Sequence, residues 1–100
     1  MNEYADVQCE AVKWQDADAF PGWIEVVLTD ADGRAWKFVD KWPMFEFPNE
    51  EITKESIFPV AALMRVIVEE DGDPTVVFTR DVESEGGVSR FRVPASAVIR

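Results

Sequence analysis

Ile24-Glu25-Val26-Val27-Leu28-Thr29, Asp30-Ala31-Asp32-Gly33 and Arg34-Ala35-Trp36-Lys37-Phe38-Val39-Asp40 follow one another without a break, and their pattern decides the fold class. Side chains on a strand repeat every two residues, so Ile24, Val26 and Leu28 share one face, where Trp36 and Phe38 can meet them from a second strand. Gly33 falls where a hairpin loop with a bulge needs positive φ. The stretch is a β-hairpin, and the chain is expected to be mainly all-β and antiparallel.

Working outward, Val7-Gln8-Cys9-Glu10-Ala11 alternates, which predicts a first strand from Val7 to Trp14. Residues 15–22 are a loop closed by Pro21-Gly22, a pair suited to a type II turn. Beyond the hairpin, Pro43 and Pro48 bracket a stretch that cannot donate fully to a ladder. Asn49 can cap a short helix through Glu50-Glu51-Ile52-Thr53-Lys54-Glu55, with acids in its first turn, and Phe58-Pro59 ends it. Three further strands are expected at 62–69, 75–82 and 88–93. In the first of these, Met64, Val66 and Val68 oppose Leu63, Arg65 and Ile67. Both faces are largely apolar, as in a central strand. Residues 94–100 form a final turn that docks Val98 and Ile99. Regular turn signals and the need to remove sticky edges predict a small, closed or partly closed, five- or six-stranded β-barrel with one short helix between strands three and four. An OB-fold carries a helix at that place too, an analogy of architecture alone.

One hundred residues make one domain, residues 1–100, large enough for a core without metal or disulfide staples. Twenty acidic against ten basic residues give a net charge of −10. The basic residues are scattered singly, so neither nucleic acid nor an anionic membrane surface is an expected direct partner. A basic protein, such as a nuclease or another toxin, is favoured by electrostatic steering. Cys9 is the only cysteine, the usual finding in a reducing compartment. Met1-Asn2-Glu3-Tyr4-Ala5-Asp6 lacks the basic start and apolar core of a signal peptide, and the apolar run Val60–Met64 falls far short of the about 20 residues that span a bilayer. A cytoplasmic location is expected.

The chemistry available is narrow. No histidine is present, so the commonest general base and metal ligand is missing. No Walker loop, Rossmann fingerprint or zinc spacing occurs. Asp30, Asp32 and Gly33 have part of the spacing of a calcium loop, but Lys41 stands where its distal glutamate belongs. Cys9 has no histidine to activate it and suits a small buried hydrophobe. Asp40-Lys41 suits an exposed ion pair better than a catalytic one, and Arg65 suits pairing with a cross-strand acid or a place on the solvent face. No catalytic residue, cofactor or metal is assigned.

The distinctive segment is Phe38–Pro48, with four aromatics (Phe38, Trp42, Phe45 and Phe47) and a methionine in eleven residues. Phe38, Phe45 and Phe47 can plug a barrel, with Trp42 over its end. Exposed, the same residue types dominate interfaces. Asp40, Lys41, Trp42, Met44, Phe45 and Glu46 are therefore the candidate partner-binding surface, an apolar centre with a polar rim. It suits a basic protein or a second copy of the chain.

The stretch Trp23-Ile24-Glu25-Val26, Asp30–Pro43 and the later Phe58-Pro59 resembles short uncharacterised bacterial proteins of similar length, which carry over no residue roles. In size, charge and class the chain is also similar to the acidic β-rich immunity proteins that neutralise bacterial toxins. That resemblance implies an inhibitory binding module with no catalytic activity. The alternatives are a small-ligand-binding barrel and a DNA mimic whose carboxylates stand in for phosphates.

Overall fold

Alternation carries through most of the chain, and each apolar row finds the same core. The computed structural model describes residues 3–100; the first two residues of the polar N-terminal stretch lie outside the described residues. Eight strands occur in order: β1 (Glu3–Asp16), β2 (Trp23–Thr29), β3 (Ala35–Lys41), β4 (Phe45–Glu46), β5 (Val60–Glu70), β6 (Thr75–Phe78), β7 (Arg90–Val93) and β8 (Val98–Ile99). They form one antiparallel sheet in the order β3-β2-β1-β5-β6-β7, with β4 beside β5 and β8 beside β1.

The long strands β1 and β5 are the spine. β1 pairs with β5 from Glu3 to Ala11 and with β2 from Glu10 to Asp16. Register shifts after Ala11 and Trp14 mark bulges, which bend the strand and increase its twist. β5 carries another shift between Val68 and Glu70 against β6. The sheet therefore curls into a half-barrel around Val7, Ile24, Val26, Leu28, Phe38, Met64, Val66, Val77 and Val93, all fully buried. At its two edges, Phe91 of β7 packs against Trp36 and Phe38 of β3, with centroids 5.2 and 5.6 Å apart.

Three features define the barrel, the last two as corrections. First, of the closed and partly closed alternatives the sheet takes the second, since β3 and β7 do not pair as strands. Two backbone bonds cross between the edges, Ala31 N–H to the Arg92 carbonyl at 2.8 Å and Glu85 N–H to the Lys37 carbonyl at 2.9 Å. Second, there are eight strands, because β4 and β8 add two residues each. Third, the helix expected over residues 50–55 does not form. Residues 47–59 are irregular, and the helical turns are short 3-10 segments at Trp42–Met44 and Ala95–Ala97. Ile52 and Ile57 offer too little apolar surface to dock a helix, and Ile57 remains exposed. Thr53 and Ser56 instead bond the local backbone: Thr53 N–H donates to Ser56 Oγ at 2.8 Å and Glu55 N–H to Thr53 Oγ1 at 3.2 Å. Such bonds compete with a helix.

Two expected strands are also shorter than the sequence implied, the first ending early and the second starting late. The Thr79 hydroxyl reaches the Val82 and Ser89 carbonyls at 2.7 and 3.2 Å, which turns the chain after Phe78 and drops Val82 into the core. The last long strand starts at Arg90 for the same reason. Pro21-Gly22 does not make a type II turn, since Gly22 lacks positive φ. Gly33, at φ 82°, does occupy the bulge position of the β2–β3 hairpin.

Candidate functional site

At the end of the sheet where β3 finishes, three irregular segments meet: the loop after β1, the turn Trp42–Met44, and residues 47–55. Gly22 couples the first two. Its carbonyl accepts the Trp42 N–H at 2.9 Å, and a Cβ on it would lie 2.8 Å from Trp14 Cζ3. The absence of a side chain lets the backbone pass directly over the Trp14 ring. That ring is fixed in turn, donating its indole N–H to the Thr53 carbonyl at 3.1 Å and meeting Phe58 edge-on. Asp16 Oδ1 accepts the Asp18 and Ala19 N–H groups, shaping the approach to Phe20. Phe20 itself is wholly exposed.

Trp42 and Ile52 form a wall with a groove on either side. One groove runs past Phe20, Pro21, Asp18 and Lys54, which bonds Asp18 at 3.0 Å. The other, of about 410 Å³, is floored by Phe45 and Phe47 and bordered by Glu46, Glu50 and Glu51. Trp42 and Met44 are each 37% exposed, large for an indole and a thioether with a core so close. The three bordering glutamates have no cation within 4 Å among the described residues.

The candidate residues named from the sequence are divided by the structure. Trp42, Glu46 and Phe45 meet in the acidic groove, with Phe45 buried as its floor. Met44 is exposed and lines neither groove. Asp40 lies elsewhere, in an open cleft of about 730 Å³ between Val39 and the charged loop Arg80–Glu85. Asp40 and Lys41 do not form the expected ion pair. Asp40 Oδ1 accepts the Lys41 backbone N–H at 2.7 Å, while Lys41 Nζ sits 5.9 Å from the Trp23 ring. Phe20, Ile52, Glu50 and Glu51 were outside the sequence-derived surface. The exposed Phe20 before a proline, and the acids after Pro48, were the available signals.

Other chemistry is quiet. Burial pushes the Cys9 thiol up to about 12, aided by the Glu10 charge, and its Sγ donates to the Ala62 carbonyl at 3.4 Å. Arg65 lies 3.6 Å from its cross-strand partner Asp6, as its position implied. No group of three potential metal-binding side chains occurs among the described residues, nor is any helix there long and apolar enough to cross a membrane. No family model, curated protein or solved structure matches this chain.

Proposed function

We propose that this chain is a non-enzymatic binding module that takes a basic protein partner, in the manner of an inhibitor or immunity protein, and acts in the cytoplasm. The observation that carries this reading is the pair of grooves lined by exposed Phe20 and Trp42, with Met44 exposed two residues on, and the Glu46, Glu50 and Glu51 carboxylates that pair with no cation among the described residues. An exposed aromatic centre with a charged border is the anatomy of a protein contact. The net charge of −10 steers a cationic partner toward it. The absence of histidine and the raised pKa of the one thiol favour binding over catalysis.

Affinity capture from the source cell, followed by titration with the purified captured protein, tests this. A partner of high isoelectric point is expected, with binding that weakens as salt rises. Trp42→Ala/Met44→Ala should abolish or strongly weaken that binding. The melting temperature should move by only a few degrees, roughly the shift from a loss of about 1 kcal/mol. Capture of an acidic protein, or of a second copy of the chain alone, overturns the reading. So does full binding by the double variant, or its unfolding.

A further inference from the structure

Resting on that reading, we propose that the acidic groove beside Trp42 receives an arginine side chain of the partner, with the guanidinium on the indole face and the glutamates at its head. The argument comes from how this chain uses its own cations. Eight of its ten basic side chains make ion pairs: Lys13, Lys37, Lys54, Arg65, Arg80, Arg90, Arg92 and Arg100. The other two, Arg34 and Lys41, lie over Trp36 and Trp23. No basic side chain among the described residues is left over for Glu46, Glu50 and Glu51.

The tryptophans differ in what covers them. Trp14 and Trp36 give their indole N–H groups to the Thr53 carbonyl and to Asp30 Oδ2. Trp36 and Trp23 are also covered by a cation. Trp14 and Trp42 have no cation over their rings among the described residues, but Trp14 is packed under the Gly22 backbone and against Phe58. Trp42 is 37% exposed and lines a groove bordered by three carboxylates.

Arginine fits this better than lysine. A planar guanidinium stacks on an indole while its edge donates to carboxylates, and it loses less hydration than an ammonium. The chain itself supplies the comparison: Arg34 lies 3.9 Å from its ring centroid and Lys41 lies 5.9 Å from its own. Phe47 and Ile52 would take the methylene stem, as apolar surface does for long basic side chains.

The test is an NMR titration of the intact chain with acetylated, amidated tripeptides carrying arginine, lysine or citrulline between two serines. The indole N–H signals of Trp42 and Trp36 are followed together. The arginine peptide should shift the Trp42 signal saturably at millimolar concentration, the range open to so small a ligand. Trp36 should stay put. Glu50→Gln/Glu51→Gln should weaken the effect about fivefold or more, because charge-assisted bonds are lost. Citrulline, which keeps the shape without the charge, should give no saturable shift. Equal shifts from lysine or citrulline, movement of Trp36 alongside Trp42, or no effect of the glutamine variant each overturn the assignment. If a basic partner is captured and needs Trp42, but the arginine peptide leaves Trp42 unmoved, this inference fails while the broader reading stands. If no basic partner is captured, the broader reading has failed.

Discussion

Asp30 shows how much one short side chain can organise. Its Oδ1 accepts the Asp32 and Arg34 N–H groups, both at 2.9 Å, and its Oδ2 accepts the Trp36 indole N–H at 2.8 Å. The backbone closes the same turn, Gly33 N–H donating to the Asp30 carbonyl at 3.0 Å and Asp30 N–H to that of Arg34 at 2.9 Å. The Trp36 bond, then the turn N–H groups and the Arg34 charge, hold the Asp30 carboxyl below its ordinary value of 3.8. Asp30→Asn keeps an oxygen for the backbone but removes the charge and presents an NH₂ group toward Trp36. We expect a loss of about 1 kcal/mol at pH 7, at the low end for a charge-assisted bond because the group is half-exposed. The sign with pH follows from the depressed value. The contribution is present above 3.8 and disappears as pH falls through the lower folded-state pKa, so the gap between wild type and variant should close on acidification. Urea unfolding at pH 7 and at pH 3 checks this. A gap unchanged at pH 3 would show that the charge is irrelevant.

Irregular elements, more than strands, place the candidate surface, and Gly22 is their hinge point. It lacks positive φ, so its requirement for glycine is steric: a Cβ would meet Trp14 Cζ3 at 2.8 Å and the Asp16 carbonyl at 3.3 Å. Gly22→Ala should cost about 1–3 kcal/mol by forcing the ring aside, shift the tryptophan emission, and displace Trp42 through the 2.9 Å backbone bond. Gly86→Ala is the control, since open space surrounds Gly86 and its φ is not positive. There the change should be near zero or slightly stabilising. Equal losses at the two sites would refute the packing argument. The contrast also shows what could be read from the chain. The β2–β3 hairpin was legible because alternation and Gly33 are local signals, and the buried face of β5 was legible for the same reason. Residues 49–55 misled, since capping acids mark a helix start but cannot supply the apolar face that keeps a helix on a protein. Residues 79–89 misled because a single threonine hydroxyl, bonded ten residues away, overrides β-propensity. Of the candidate surface, Trp42 and Glu46 could be found from composition. Phe20, Ile52 and the Glu50-Glu51 border arrive by tertiary contact, which no spacing in the chain encodes.

Across the whole molecule, the charges are arranged unevenly. Every Lys and Arg side chain is engaged by an acid or an aromatic ring, whereas several carboxylates, among them Glu46, Glu50, Glu51 and Glu55, have no partner cation among the described residues. The ion pairs are mainly exposed, and such pairs contribute little, about 0–1 kcal/mol each. The repulsion among the excess acids acts over the full surface, and a net charge far from zero disfavours the compact state. Salt screens both terms, with a Debye length near 10 Å at about 0.1 M. Short-range pairs within 4 Å lose less from screening than do acids spread around a body 39 by 27 by 26 Å. Sodium chloride should therefore raise the melting temperature at pH 7, where the net charge is −10. Near the isoelectric point of about 4.3 the excess vanishes while the fold's pairs persist in part, so the same salt should have no effect or a slightly negative one. Calorimetry at 20 and 500 mM sodium chloride, at pH 7 and pH 4.5, separates the two terms. A fall in melting temperature with salt at pH 7 would mean that the ion pairs outweigh the repulsion, and that the unpaired border around Trp42 carries no cost for a cationic partner to relieve.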